Sequence, residues 1–207
     1  MTRLSDPVVS GVRVESLVPK MHEEASRLLA RAFVTNPLHV AVFGPDDIAA
    51  NEAFFATALR VLKGRALVAL EGDRILALVH WVHSPRCQFS AGEKLRMAPG
   101  LMATFGFAGM MRIGTWMAAW SKHDPSIPHT HLGPIAVDPD AQGRHIGQRL
   151  MEEYCHDLDR TRAAGYLETD RPENVRFYRR FGFAMTDEIE VLGVRNYLML
   201  RERRPWV

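Results

Sequence analysis

Residues 129–147 read HTHLGPIAVDPDAQGRHIG and decide the fold, because they run from an apolar segment through a glycine-containing turn into a helix. Thr130 to Val137 has the apolar content of a buried strand. The helix that follows carries an apolar stripe at positions four residues apart: Ile146, Leu150, Tyr154 and Leu158. Such a stripe is typical of a helix that packs on a sheet. The stretch therefore predicts a strand, a turn and a helix packed together.

Segments of strand and helix periodicity alternate on both sides of this unit. The predicted strands are 12–17, 66–70, 75–82, 166–169, 189–192 and 195–200, and the other predicted helices are 21–33, 48–62 and 172–181. Glycines are expected to end two of the helices, Gly165 the long one and Gly182 the short one. The alternation indicates an α/β chain with a mixed sheet, forming one domain over residues 1–207.

Composition excludes several classes of function. The chain has 26 basic and 24 acidic residues, so it lacks the strong field that nucleic acid or an anionic membrane would need. The segment from Leu95 to Trp120 is apolar, but Arg112 leaves its uncharged part shorter than the roughly 20 residues of a membrane span. It reads as a buried or pocket-lining helix. Two cysteines and an amino terminus without a signal-peptide core predict a reducing, cytoplasmic setting.

The turn before the long helix has the features of an anion site. Backbone amides at a helix amino terminus are unpaired and lie at the positive end of the helix dipole, so residues 142–147 can bind a pyrophosphate. Gly143 and Gly147 permit close approach, and Arg144 offers a further phosphate contact. An ordinary strand-to-helix turn with a charged tip remains the alternative.

Pro134 lies inside the apolar run of the predicted strand, where proline cannot donate to a sheet ladder. We expect the sheet to be interrupted there, so that backbone groups of residues 135–137 face an extended, amide-bearing ligand. A ligand that places a pyrophosphate at the turn and amides along the strand has the chemistry of coenzyme A. The alternative is an edge strand that tolerates a proline.

Asn174 and Tyr178 are four residues apart on the predicted short helix and share one face. A thiolate that leaves a thioester must be protonated, and a phenol is suited to that step. Tyr178 is therefore the predicted proton donor. The alternative is a core aromatic whose hydroxyl reaches the surface.

These motifs resemble the GNAT superfamily of N-acetyltransferases. The matching residues run from Leu132 through Gln142-Gly-Arg-His-Ile-Gly147 to Asn174-x-x-Phe-Tyr178 and Gly182-Phe183, within residues 123–183. The runs His123-x-Pro-x-x-Pro-His-x-His131 and Leu167-Glu-Thr169 look like the branch that contains puromycin N-acetyltransferase.

The resemblance implies a mostly antiparallel sheet with splayed middle strands, helices on both faces, and acetyl-CoA as co-substrate. It also implies the cofactor-binding residues Ile135, Ala136, Val137, Gln142, Gly143, Arg144, His145, Ile146, Gly147, Gln148 and Asn174, with Tyr178 beside the sulfur. One departure is His145, which stands where the family pattern has its first glycine. If that position has a positive φ angle, histidine costs more than glycine and its bulk crowds the phosphate, unless the ring itself contacts the phosphate.

The acceptor amine needs a base, because an alkylammonium with a pKa of about 10.4 cannot attack. His131 is the predicted base, at a position where related enzymes often carry glutamate or histidine, and Glu168 is the second candidate. His129, His131 and His123 also raise the question of zinc. With no paired cysteines and no evident fit for Asp124, no metal is expected.

Residues 21–55 and an inserted helical segment at 84–121 correspond to the acceptor side of the family. The second segment holds five of the ten methionines, together with Phe105, Phe107, Trp116 and Trp120. Such side chains suit a small hydrophobic amine, although ordinary core packing explains them as well.

The predicted function is transfer of an acetyl group from acetyl-CoA to a primary amine of a small molecule by direct attack. Neither Cys87 nor Cys155 is expected to act as a nucleophile. The alternatives are a non-catalytic acyl-CoA sensor and a protein or peptide N-acetyltransferase. A nucleotide-binding Rossmann module is a weaker alternative, because no GxGxxG motif follows an early strand. Assembly as a homodimer stays open.

Overall fold

The computed structural model describes residues 11–204. The strands are β1 (Val12–Ser16), β2 (Arg65–Glu71), β3 (Arg74–His83), β4 (His129–Val137), β5 (Ala164–Thr169), β6 (Ala184–Val191) and β7 (Val194–Arg201). The helices are α1 (His22–Phe33), α2 (Pro37–Phe43), α3 (Ile48–Leu59), α4 (Ala91–Lys122), α5 (Ile146–Thr161) and α6 (Pro172–Arg179).

The strands form one seven-stranded sheet in the order β1-β2-β3-β4-β5-β7-β6. Every neighbouring pair is antiparallel except β4 and β5, which are parallel. That pair is in register only from His129 to His131, opposite Ala164 to Tyr166. The predicted mixed, mostly antiparallel sheet with parted middle strands is confirmed.

Alternating side chains of the central strands build a separate core on each face of the sheet. Leu67 and Val79 face the core that is covered by α5, whereas Val68 and Leu78 face the core covered by α1 to α4. The predicted stripe of α5 is fully buried at Leu150, Met151, Tyr154 and Leu158. Helices thus cover both faces, as expected.

The predicted end of the long helix at Gly165 is wrong. Helix α5 ends at Thr161, and Arg162 takes the left-handed conformation with φ 53°. Gly165 lies inside β5, where a Cβ would come within 2.6 Å of Leu158 Cδ1 and 2.9 Å of Phe183 Cζ. This glycine allows helix and strand to pack closely, a demand that a sequence pattern does not separate from a helix stop. Gly182, with φ 86°, follows α6 as predicted.

Two other segments also differ from the sequence interpretation. Residues 34–47 lie outside every predicted helix and strand, but Pro37 begins α2 there, because proline is suited to the first position of a helix. The last two strands extend beyond the predicted 189–192 and 195–200, since β6 begins at Ala184.

The inserted segment forms α4, which begins with a capping box of Ser90 and Glu93 and is broken at Gly106 with φ 61°. Trp116 is buried, but Leu95 and Phe107 are 74% and 71% exposed, so the prediction of a buried or pocket-lining helix holds only in part. Within residues 11–204, none of the helices combines the length and the apolarity that a bilayer crossing requires.

The interruption predicted at Pro134 is a β-bulge. Val79 pairs with Ile135 and Trp81 with Leu132, so His80 alone lies opposite both Gly133 and Pro134. Because proline has no amide hydrogen, the unpaired position of a bulge accommodates it. A Cβ on Gly133 would lie 2.3 Å from Nδ1 of His80, and the His80 ring is held at its other nitrogen by the Lys63 carbonyl.

Gly133→Ala should therefore destabilise the protein by about 2 kcal/mol, as overpacking against a fixed ring does. Chemical denaturation measures the free energy of unfolding. Gly114→Ala is the matched control, since Gly114 is helical and a Cβ there meets nothing within 4 Å. The control should be neutral or more stable by up to about 1 kcal/mol. Equal stability of the two variants would contradict a bulge set by His80.

Candidate active site

A cavity of about 620 Å³ opens where β4 and β5 part. Its wall follows β4 from His131 to Val137 and reaches Gln142 at one end. The other end is enclosed by aromatic side chains from the helices on that face. The backbone of residues 135–137 pairs with β3 on one side, so its other edge faces the parted strands.

The turn at residues 142–147 has the geometry of an anion site. Gly143 has φ 78°, and the first bond of α5 runs from the Arg149 amide to the His145 carbonyl at 3.1 Å. The preceding amides of the first turn lie at the positive end of the helix dipole. A Cβ on Gly147 would lie 3.1 Å from Cγ2 of Val137, so this glycine brings helix and strand together.

The predicted phosphate-binding residues differ in which of their groups are available to contact a phosphate. Gln142 lines the cavity, whereas the Ile146 side chain is buried in the core and leaves only its backbone amide to a ligand. Nη2 of Arg144 lies 2.5 Å from Oε1 of Glu71, and Nε2 of Gln148 donates to Glu152 at 2.9 Å. Arg144 would have to leave its carboxylate partner to contact a phosphate.

His145 has φ 59°, so the position where the family pattern has glycine does take a left-handed conformation. We expect His145→Gly to tighten acetyl-CoA binding by roughly 0.5–1 kcal/mol in calorimetry, because the bulk of the ring beside the phosphate is removed. His145→Ala is the control, since it removes the ring but keeps a side chain at positive φ. Weaker binding by both variants would instead indicate that the imidazole contacts the phosphate.

Asn174 and Tyr178 both line the cavity, as their shared helix face predicts. Tyr178 is 6% exposed and packs against Phe177 and Phe183. Burial, and secondarily the Asp170 carboxylate, raise the pKa of Tyr178, so its hydroxyl keeps its proton at any working pH. Asn174 Nδ2 donates to Thr169 Oγ1 at 3.2 Å.

His131 and Glu168, the two predicted candidates for the base, contact each other. Nε2 of His131 lies 2.7 Å from Oε2 of Glu168, and Nδ1 lies 3.3 Å from Oδ1 of Asp124. Oε1 of Glu168 is buried, and among residues 11–204 it has no hydrogen-bond partner. Both residues line the cavity.

The charges around His131 keep its ring protonated in this arrangement. Burial lowers the pKa of His131, but the Glu168 carboxylate and the proximity of Asp124 and Cys87 outweigh it and raise the pKa well above its usual value. For His129, Asp124 and Cys87 likewise outweigh burial and raise the pKa to about 10. A protonated imidazole cannot accept a proton from an amine.

The far end of the cavity is aromatic. His39 is in ring contact with Phe54, Phe55 and Trp116, and burial lowers the pKa of His39 to about 4. Of the side chains predicted to line the acceptor side, Trp116 and Trp120 do so, while Phe107 faces outward.

Two cavity residues were missed by the sequence analysis. Asp170 is buried and accepts a hydrogen bond from the Leu38 amide at 2.6 Å, and His39 lies on α2, a helix that the sequence pattern does not predict. The position of Asp170, just after the strand that ends at Thr169, is the signal that would have placed it beside Glu168. Cys87 is half-buried, with its sulfur 3.5 Å from Nε2 of His129.

A family model described as the acetyltransferase (GNAT) domain matches residues 103–185. The match begins within α4 and covers β4, α5, β5 and α6, which carry the turn, the parted strand and Tyr178. Residues 103–185 of this chain therefore resemble a GNAT acetyltransferase domain. Its motif-based resemblance to the superfamily is thereby supported, while the finer resemblance to the puromycin N-acetyltransferase branch stays a prediction.

Solved structures with the GNAT fold cover nearly the whole chain. A Corynebacterium glutamicum protein described as "histone acetyltransferase HPA2 and related acetyltransferase" has 20% identity and a TM-score of 0.70, covering 95% of this chain and 99% of that one. A polyamine N-acetyltransferase from Drosophila melanogaster has 18% identity and a TM-score of 0.62, covering 91% and 98%. Arylalkylamine N-acetyltransferase 2 from Aedes aegypti has 14% identity and a TM-score of 0.62, covering 92% and 98%. At these identities the likeness establishes the fold.

Proposed function

We propose that this GNAT domain transfers an acetyl group from acetyl-CoA to the primary amine of a small molecule with an apolar body. The observation that carries the proposal is the cavity between the parted strands, which brings Tyr178, Glu168 and an aromatic enclosure to one space. The GNAT match supports the acetyl transfer, and the chemistry of the cavity walls supports the kind of acceptor.

The residues present fit a coenzyme A thioester. Gly143, with φ 78°, and the first amides of α5 suit the pyrophosphate, and the edge of β4 at residues 135–137 suits the amides of the pantetheine arm. Asn174 and Tyr178 then lie on the cavity wall along the course of that arm. Acetyl-CoA supplies the activated acetyl group.

The acceptor end of the cavity fits a cation with an apolar body. The carboxylates of Glu168 and Asp170 lie on its wall, and aromatic faces attract a cation that is removed from water. Phe54, Phe55 and Trp116 enclose the space beyond. A peptide or histone tail would need an extended polar groove, whereas this wall is mostly apolar.

We assign the base to Glu168 and a positioning role to His131. The free Oε1 of Glu168 takes the proton of the incoming ammonium, and His131 holds the other carboxylate oxygen at 2.7 Å. The neutral nitrogen attacks the acetyl carbonyl, the carbon–sulfur bond breaks, and Tyr178 gives its proton to the leaving sulfur. The nitrogen gives its second proton to the tyrosine oxygen as the amide forms, and Glu168 releases the first proton to solvent, so both side chains return to their starting states.

An amine panel tests the proposal. Thiol release from acetyl-CoA should be fastest with phenethylamine- and tryptamine-type monoamines, slower with polyamines, and slowest with peptides. Binding of acetyl-CoA without thiol release on any amine would contradict acetyl transfer and favour the acyl-CoA sensor. Preference for peptides would refute the acceptor class while leaving the reaction intact.

A further inference from the structure

Four potential metal ligands converge at the start of β4, beside the cavity. They are the sulfur of Cys87, a carboxylate oxygen of Asp124, and one ring nitrogen each of His129 and His131, all within 4.8 Å of one another. Cys87 lies between β3 and α4, and Asp124 lies between α4 and β4. The chain fold, rather than any local motif, assembles this set.

Three of the six separations among these atoms are close to those of a tetrahedral zinc site, and the others are within 4.8 Å, so a small adjustment of the side chains would complete the geometry. Nε2 of His129 lies 3.1 Å from Oδ1 of Asp124 and 3.5 Å from Sγ of Cys87, and Nδ1 of His131 lies 3.3 Å from the same carboxylate oxygen. Zinc–nitrogen and zinc–oxygen bonds of about 2.0–2.1 Å and a zinc–sulfur bond of about 2.3 Å put tetrahedral ligands about 3.3–3.6 Å apart.

Both histidines are oriented as metal ligands are. Nδ1 of His129 donates to the Ile127 carbonyl at 2.8 Å, which turns Nε2 toward Cys87 and Asp124. Nε2 of His131 donates to Glu168 at 2.7 Å, which turns Nδ1 toward the same point. A ligating histidine nearly always gives its other N–H to a carbonyl or carboxylate in this way. Nδ1 of His131 is buried and, among the described residues, has no hydrogen bond.

We propose that Cys87, Asp124, His129 and His131 bind one zinc ion. A thiolate and a carboxylate neutralise its two charges, which suits a half-buried site, and the mixture of sulfur, nitrogen and oxygen in tetrahedral spacing favours zinc over magnesium or calcium. Binding releases to solvent the thiol proton of Cys87 and one proton from each of the two imidazolium rings, because the metal takes a thiolate and neutral imidazole nitrogens. This proposal replaces the sequence-based expectation of no metal, which had found no fit for Asp124.

The site is closed, since four protein ligands leave no position for a substrate, and closed zinc sites are structural. The ion would tie both ends of α4 to β4, fixing the helix that carries Trp116 and Trp120 over the cavity. It would also hold His131 with its Nε2–H on Glu168, so that Oε1 of Glu168 stays turned to the acceptor.

The test is metal binding by purified protein that has been stripped with a chelator, in the absence of acetyl-CoA and amine. After incubation with zinc chloride and removal of free metal by gel filtration, elemental mass spectrometry should find one bound zinc ion per chain. Cobalt chloride should give the absorption of a tetrahedral cobalt–thiolate site. Neither readout involves catalysis. A failure of the zinc proposal can therefore be distinguished from a failure of the proposed acetyl transfer.

Cys87→Ser and Cys155→Ser form a matched pair for this test. Cys155 lies on α5, away from the four ligands, so its variant should bind zinc as the wild type does. Cys87→Ser should lose the cobalt–thiolate absorption and the rise in melting temperature on adding zinc. Wild-type protein that retains no zinc after gel filtration, or a Cys87→Ser variant that binds metal like the wild type, would overturn the proposal.

Discussion

Replacing Tyr178 with phenylalanine should lower kcat for acetyl transfer by about 100-fold, the effect of losing a positioned general acid. The Michaelis constant for acetyl-CoA should change little, because the phenyl ring still packs between Phe177 and Phe183. Steady-state thiol release over a range of acetyl-CoA concentrations separates the two constants.

Tyr197→Phe is the matched control for this prediction. Tyr197 lies on β7, packed against the same core but outside the cavity, and its variant should turn over at the wild-type rate. A Tyr178→Phe enzyme with unchanged kcat would contradict the role of the hydroxyl. The residue would then be a core aromatic only.

Glu168→Gln should lower kcat for a primary amine by about 100-fold or more, because an amide cannot take the proton of the acceptor. The loss should shrink for acceptors that are neutral at the assay pH, such as arylamines. Comparing kcat for an alkylamine and an arylamine in the wild type and the variant measures this difference directly.

Glu153→Gln provides the control, since Glu153 is exposed on α5 and should not affect turnover. His131→Ala adds a second comparison. If His131 only positions the carboxylate, its loss should cost less than the loss of Glu168. A larger loss from His131→Ala than from Glu168→Gln would return the role of base to His131.

Local chemistry made much of the fold predictable. The stripe of α5 and the proline at position 134 each have one main physical explanation, a helix packed on a sheet and an interrupted ladder, and both were predicted correctly. Gly165 has two explanations, a helix stop and a close contact with Leu158, and a single sequence does not separate them. Which of these two roles Gly165 has depends on the tertiary packing of α5 against β5.

The candidate site was predictable where its residues are neighbours in sequence. Asn174 and Tyr178 lie four apart on one helix, and the structure puts both on the cavity wall. The contact between His131 and Glu168 and the approach of Cys87 to His129 depend instead on the pairing of β4 with β5 and β3. Cys87 and His129 are 42 residues apart, so no local pattern could join them.

A crystal structure of the protein with coenzyme A would test the central claim most directly. We predict the pyrophosphate on the amides that open α5, the pantetheine arm along residues 135–137, and the sulfur within reach of the Tyr178 hydroxyl. Coenzyme A bound elsewhere, with the space between β4 and β5 filled by the side chains of the protein, would contradict the account.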